Sequence, residues 1–95
     1  MGTTDNTAVP VNRDEAFEAV CEELRRELEL PGDLNLTASD PLDLIPGAES
    51  IRLMRVVAAL EGRYDVEFDD HAVRDTETIG DMTDLVLAAL KDAEG

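Results

Sequence analysis

One cysteine in 95 residues leaves no partner for an internal disulfide, so the chain is not a disulfide-stapled scaffold. That fits a reducing compartment, and a cytoplasmic protein is expected. Cys21 falls in the series Phe17, Val20, Cys21, Leu24, Leu28, the spacing of one helical stripe. It reads as a small buried apolar side chain rather than a reactive thiol. No apolar run is long enough to cross a bilayer, and no basic segment followed by an apolar one marks a secretory signal. Histidine is nearly absent too. The one residue, His71, stands among acids and reads as a surface residue rather than a general base. Asp69 and Asp70 beside it match no standard metal spacing, and the calcium-loop pattern is missing. No catalytic residue and no metal ligand is expected. Basic residues are scarce: 8 Lys and Arg against 23 Asp and Glu give a net charge of −15. That charge opposes binding to nucleic acid or anionic membranes and favours partners with basic docking surfaces. It speeds encounter more than it adds affinity, and salt weakens it.

What remains is enough for one small helical domain. Ninety-five residues support a single modest core. Residues 1–12 are polar with little periodicity and read as a flexible tail, 13–91 as the domain, and 92–95 as a frayed end. A first helix is predicted from Arg13 to Leu28, with Asn12 as N-cap, Glu15 completing a capping box, and Pro31-Gly32 as the stop. A long connection follows to Glu49. Leu34, Leu36, Leu42, Leu44 and Ile45 suggest that it packs across the bundle, and Pro41 and Pro46 break any continuous helix there. A second helix is predicted from Ser50 to about Gly62 and a short one from Asp70 to Val73. A last helix begins after Thr78, with Asp81 in a capping pattern and the stripe Ile79, Met82, Leu85, Val86, Ala89. No segment alternates as a strand does, and there is no internal repeat. The expected class is all-α, a monomeric three-to-four-helix bundle with a long loop between helices one and two.

The second helix carries more apolar surface than a small bundle needs. Leu53, Val56, Val57, Leu60 and Tyr64 form one core stripe. Ile51, Met54 and Ala58 fall on a different arc that borders Ser50. Either the loop or the short helix covers this arc, or it docks partners, a use to which the adaptable thioether of Met54 is suited. Arg52, Arg55 and Arg63 lie mainly towards the remaining arc. They form a solvated face or pair with carboxylates, each pair worth only ~0.5 kcal/mol, or else Arg52 and Arg55 tune partner choice by repelling wrong partners.

The stretch Gly47-Ala48-Glu49-Ser50-Ile51 delivers one serine to the start of that helix. Ser50 is there either as an ordinary N-cap or as the bearer of a phosphate, because first-turn N–H groups lack internal partners and the helix dipole is positive at that end. No base or orienting group accompanies it in the sequence, as a nucleophilic serine would need.

The run IPGAESIRLMRVVAAL from Ile45 to Leu60, continued by EGRYDVEFDDHAVRDTETIGDM, resembles the phosphopantetheine-binding carrier proteins. Gly47, Glu49, Ser50, Ile51, Leu60, Glu61 and Tyr64 stand at the positions of the family's motif, and Phe68 and Thr78-Ile79-Gly80-Asp81 fit its later part. The likeness spans roughly residues 13 to 91. Glu49 stands where aspartate is usual and keeps its charge. Arg52 and Arg55 stand where fatty-acid carriers tend to be acidic, and the Ser-Ile-Arg-Leu-Met run is more like aryl and peptidyl carriers. The resemblance implies a 4′-phosphopantetheine arm on Ser50, placed by a separate phosphopantetheinyl transferase, with Gly47 and Glu49 beside it. It implies docking to loading and downstream biosynthetic enzymes through Ile51, Met54, Ala58, Glu61 and Arg55. The protein would be a discrete carrier of acyl, aminoacyl or aryl thioesters in polyketide, nonribosomal-peptide or fatty-acid-like synthesis. The competing reading is a small acidic helical adaptor with no covalent group.

Overall fold

A computed structural model describes residues 12–94. The expected N-terminal tail lies, except for Asn12, outside the described residues. Four α-helices follow one another: α1 (Arg13–Leu28), α2 (Ser50–Tyr64), α3 (Asp70–Arg74) and α4 (Ile79–Glu94), with a single 3-10 turn at Leu42–Leu44 in the α1–α2 loop. α4 continues past residue 91, where the sequence pattern placed the end of the domain.

Three of the four α-helix starts are set by side chains, as the sequence suggests. Asn12 accepts a hydrogen bond from the Glu15 N–H (2.8 Å), and the Glu15 carboxylate accepts from the Asn12 N–H (3.2 Å), a reciprocal capping box. Asp69 caps α3 by accepting from the Ala72 N–H. At the head of α4 the Thr78 hydroxyl accepts from the Asp81 N–H, while the Asp81 carboxylate accepts from the N–H groups of Glu77 and Thr78. α1 ends at Leu28 as expected, but the residue that stops it and the end of α2 differ. α1 is turned off by Glu29, and α2 runs two residues beyond Gly62 to be turned off by Asp65. Both residues sit in the left-handed region (φ 54° and 57°) and return their N–H to the last helical turn. Pro31-Gly32 stands downstream of the α1 stop rather than causing it.

α1 lies between α2 and α4 and packs on both. Its apolar face buries Ala16, Ala19, Val20, Cys21, Leu24 and Leu28, with Phe17 only half-buried at the edge. Val56, Val57 and Leu60 of α2 meet it from one side, and Ile79, Met82, Val86 and Ala89 of α4 from the other. Full burial of a leucine such as Leu24 or Leu60 contributes about 1.5–3 kcal/mol. Glu23 is buried inside this interface and is paired with Arg26 on its own helix and with Arg63 of α2 (3.2 Å), which also reaches Glu22 (2.9 Å). A buried carboxylate needs such partners, so Arg63 is an α1–α2 tie rather than a merely solvated side chain. Burial raises the Cys21 thiol above its ordinary value, keeping it protonated at neutral pH.

The long loop packs, as its leucines suggest. Leu36, Leu42 and Ile45 are buried, and Leu34 is half-buried. Its backbone is fastened to the segment entering α4: Leu42 donates to the Glu77 carbonyl (2.8 Å), Ile79 to Asp40 (3.1 Å) and Gly80 to Ala38 (2.8 Å). The last approach is so close that a Cβ on Gly80 would lie 3.0 Å from the Ala38 carbonyl oxygen. Leu44 is the exception, 74 % exposed. In a 3-10 turn residues three apart share a side. Leu42 and Ile45 therefore face the core together, and Leu44 faces out.

Two stability predictions follow from the backbone. Gly47 has φ +79°, and a Cβ there would make only ordinary contacts, 3.6 Å to the Leu28 carbonyl oxygen and 4.0 Å to an Arg52 guanidinium nitrogen. Gly47→Ala should therefore cost about 1–2 kcal/mol, the left-handed penalty alone, while Gly32→Ala, with open space around it, should stay within about 0.5 kcal/mol. Equal unfolding midpoints for the two variants would refute this. The N–H groups of Glu77 and Thr78 hold the Asp81 carboxyl below its usual range. A carboxylate lowered on folding adds stability above its unfolded pKa and loses it as pH falls through the folded value. Asp81→Ala should lower the thermal midpoint at neutral pH, and its gap to the wild type should close in acid. A gap that persists unchanged at low pH would show that the charge is irrelevant to the cap.

Candidate functional site

Ser50 is the first residue of α2, and the residue in the capping position is Glu49, with extended backbone (φ −85°, ψ 157°). The sequence allowed Ser50 to be the N-cap; the structure moves that role one residue upstream. The Glu49 carbonyl accepts the first helical bond, from Leu53 (2.8 Å), but its side chain makes no capping bond. The Ser50 side chain is exposed, and among the described residues its hydroxyl has no hydrogen-bond partner. The N–H groups of Ser50, Ile51 and Arg52 likewise find none. Three donors and the positive end of the helix dipole are thus gathered around an unengaged oxygen, a setting that suits a phosphodiester on that oxygen.

The turn before it is compact. Ala48 donates to the Ile45 carbonyl (3.0 Å) and Glu49 to the Gly47 carbonyl (2.8 Å). Gly47 stands third in the Ile45–Ala48 turn with φ +79°, the left-handed conformation that glycine adopts without a Cβ penalty. Gly47, Glu49 and Ser50 are all exposed. Nothing near Ser50 activates it as a nucleophile: no hydrogen bond joins it to a base, His71 is exposed on α3, and Cys21 is buried on α1. Among the described residues no group of three or more His, Cys, Asp or Glu could hold a metal ion, and no helix is long and apolar enough to cross a membrane.

The second apolar arc of α2 is uncovered. Ile51 is 69 % and Met54 54 % exposed, and Ala58 is exposed beside them. Arg55 is exposed on the same side and Arg52 is half-buried; neither makes an ion pair among the described residues. Glu61 is half-buried, and its carboxylate accepts the Phe68 N–H (2.8 Å), anchoring the α2–α3 connection. Leu44 joins the exposed apolar surface, and the sequence reading missed it by counting it with the core. The signal was available in the spacing, since Leu42 and Ile45 are three apart and Leu44 is out of phase with both. Leu53, expected on the core stripe, is half-buried. It lines an open cleft of about 450 Å³ together with Pro41, Leu42, Asp43, Thr76 and Thr78.

Comparison with known proteins agrees with this geometry. The family model described as phosphopantetheine attachment site matches residues 18–86. An acyl carrier protein of Tropheryma whipplei is 29 % identical over 82 residues, covering 83 % of this chain and 95 % of the relative. Among solved structures, holo acyl carrier protein from Geobacter metallireducens superposes with a TM-score of 0.73 over 83 % of this chain and 90 % of its own, at 22 % identity, a likeness of fold. The acetyl actinorhodin acyl carrier protein of Streptomyces coelicolor superposes with a TM-score of 0.62 at 29 % identity, over 81 % and 92 % of the two chains. The chain belongs to the phosphopantetheine attachment site family: it is a carrier protein rather than an enzyme, and 4′-phosphopantetheine is its covalent cofactor.

Proposed function

We propose that Ser50 is the attachment residue and that the protein holds an acyl, aminoacyl or aryl group for successive enzymes of a polyketide, nonribosomal-peptide or fatty-acid-like pathway. The observation that carries this is the Ser50 hydroxyl, exposed and free of internal bonds at a helix start whose N–H groups are unpartnered. The bound group supplies a flexible arm ending in a thiol, on which cargo is held as a thioester. The chain's own residues do the rest. Gly47 sets the turn that presents Ser50, the first-turn N–H groups favour a negative phosphodiester, and Glu49 stays unengaged beside it for the transferase to read. Ile51, Met54 and Ala58 offer an apolar contact to the loading and downstream enzymes, and Arg55 edges it. Tethering raises the cargo's effective concentration at each partner site. The Streptomyces neighbour, an actinorhodin carrier, supports a polyketide-like setting. The single buried thiol supports a reducing, cytoplasmic one.

Two measurements test this reading. Incubated with a broad phosphopantetheinyl transferase, magnesium and coenzyme A, the wild type should gain the mass of one phosphopantetheine and Ser50→Ala none. That variant should unfold within about 0.5 kcal/mol of the wild type, because no hydroxyl bond is lost. A mass gain on Ser50→Ala would end the assignment, and no gain on the wild type would favour the adaptor reading. Met54→Glu should keep the unfolding midpoint and weaken cargo transfer by ~2 kcal/mol or more. Val57→Glu, on the buried face of the same helix, should instead destabilise the fold by several kcal/mol through a desolvated charge. If both variants fold and transfer normally, α2 is not the docking element.

A further inference from the structure

The exposed face of α2 carries the wrong charge for the rest of this molecule. The chain is −15 overall, yet from Ser50 to Leu60 it has no acidic residue, the longest acid-free run it contains. The first turns of α1, α3 and α4 hold acids; that of α2 holds none. Three of the other basic side chains are consumed internally: Arg13 pairs with Asp84, Arg26 with Glu23, and Arg63 with Glu22 and Glu23. Arg25 spends its guanidinium on the Leu34 carbonyl. Arg52 and Arg55 have no such partner among the described residues; by helical spacing Arg55 borders Ile51 and Ala58 on one edge of the exposed apolar arc, and half-buried Arg52 lies beyond it on the same edge. Leu44, on the α1–α2 loop, is a further exposed apolar side chain.

We propose that this face docks a partner enzyme whose contact site is an apolar depression edged by carboxylates opposite Arg52 and Arg55. The proposal rests on the carrier reading for the existence of such an enzyme, and on charge complementarity for its chemistry. At physiological ionic strength a charge is felt over only about 8 Å. The acids on the far faces are then screened, while an arginine at the contact still meets its partner. Two carboxylates facing these arginines gain hydrogen-bonded ion pairs, whereas a lysine-edged site meets like charge at the rim and is rejected. A second copy of the chain is the poorer occupant, because two molecules of charge −15 repel. The proposal also reverses the salt effect that net charge alone implies. An acid-edged partner is held off by the whole molecule at low salt and admitted as salt rises, opposite to a basic one.

The test uses the full chain, first treated with transferase and coenzyme A and weighed, so that the mass reports the carrier reading separately. Amide chemical shifts are then followed with two designed amphipathic peptides of about 18 residues, roughly five helical turns. Both have a leucine face; one is flanked by glutamates and the other by lysines. At about 150 mM salt the glutamate peptide should shift residues 51–58 selectively and bind more tightly than at low salt. The double variant Arg52→Glu, Arg55→Glu should weaken it by about tenfold or more. The lysine peptide should spread its effects over the acidic surfaces of α1, α3 and α4 and reach α2 only in the double variant. The proposal is overturned if the glutamate peptide leaves α2 unshifted, if the double variant binds it equally well, or if the lysine peptide prefers α2 of the wild type. Shifts of the same residues on simply concentrating the protein would assign the face to self-association and overturn it as well.

Discussion

Three backbone hydrogen bonds, Leu42 to Glu77, Ile79 to Asp40 and Gly80 to Ala38, hold the α1–α2 loop against the entrance of α4. The presentation of Ser50 depends on them. The loop crosses the bundle rather than skirting it, burying Leu36, Leu42 and Ile45, and it meets α2 from a fixed direction. Without that fastening, the turn through Gly47 would have nothing to turn against. One loop N–H, of Leu42, and two loop carbonyls, of Asp40 and Ala38, which would otherwise be orphaned in an irregular segment, are satisfied by a distant segment. That explains how a connection of this length is tolerated in so small a domain.

The same economy governs the serine. Every other helix start described here is closed by a side-chain oxygen: Asn12, Asp69 and Thr78 each accept a first-turn N–H. At α2 the capping position is held by Glu49, whose side chain makes no such bond. Leaving a helix start open forgoes about 1 kcal/mol of capping stability, and it keeps the donors and the dipole available for a group added later. Local stability is therefore lower at the start of α2.

Charge divides along the same line. Where acid meets base inside the molecule it serves the fold, as in Arg63 with Glu22 and Glu23, which tie α2 to α1 across a buried carboxylate. Among the described residues Arg52 and Arg55 make no ion pair, and they stand on α2, the helix that carries the exposed Ile51 and Met54. The net charge describes how the whole molecule approaches others; the arginines describe what one face meets on arrival.

Helix positions were legible in the sequence because they rest on local chemistry. Capping residues, the apolar period and the proline breaks all act within a few residues of where they stand, so α1, α2, α3 and α4 were placed within two residues at their starts and ends up to the last turn. The family motif around Ser50 was legible for the same reason, being contiguous. The stopping residues Glu29 and Asp65 were not, since glutamate has no preference for the left-handed region and aspartate only an occasional one. Nor was the outward direction of Leu44, the cleft that leaves Leu53 half-buried, the commitment of Glu61 to Phe68, or the pairing of Arg63 with α1. Each of these depends on which segment arrives opposite a residue, and that is decided by the bundle's closing rather than by the neighbours in the chain. By itself the sequence determined the helices, the place of Ser50 at a helix start and the excess of acid. Only the tertiary structure decided that the cap of α2 is Glu49, that the second apolar arc stays open, and that Arg52 and Arg55 stay unpaired beside it. Exposure is a property of what fails to cover a side chain, and no residue carries that information alone.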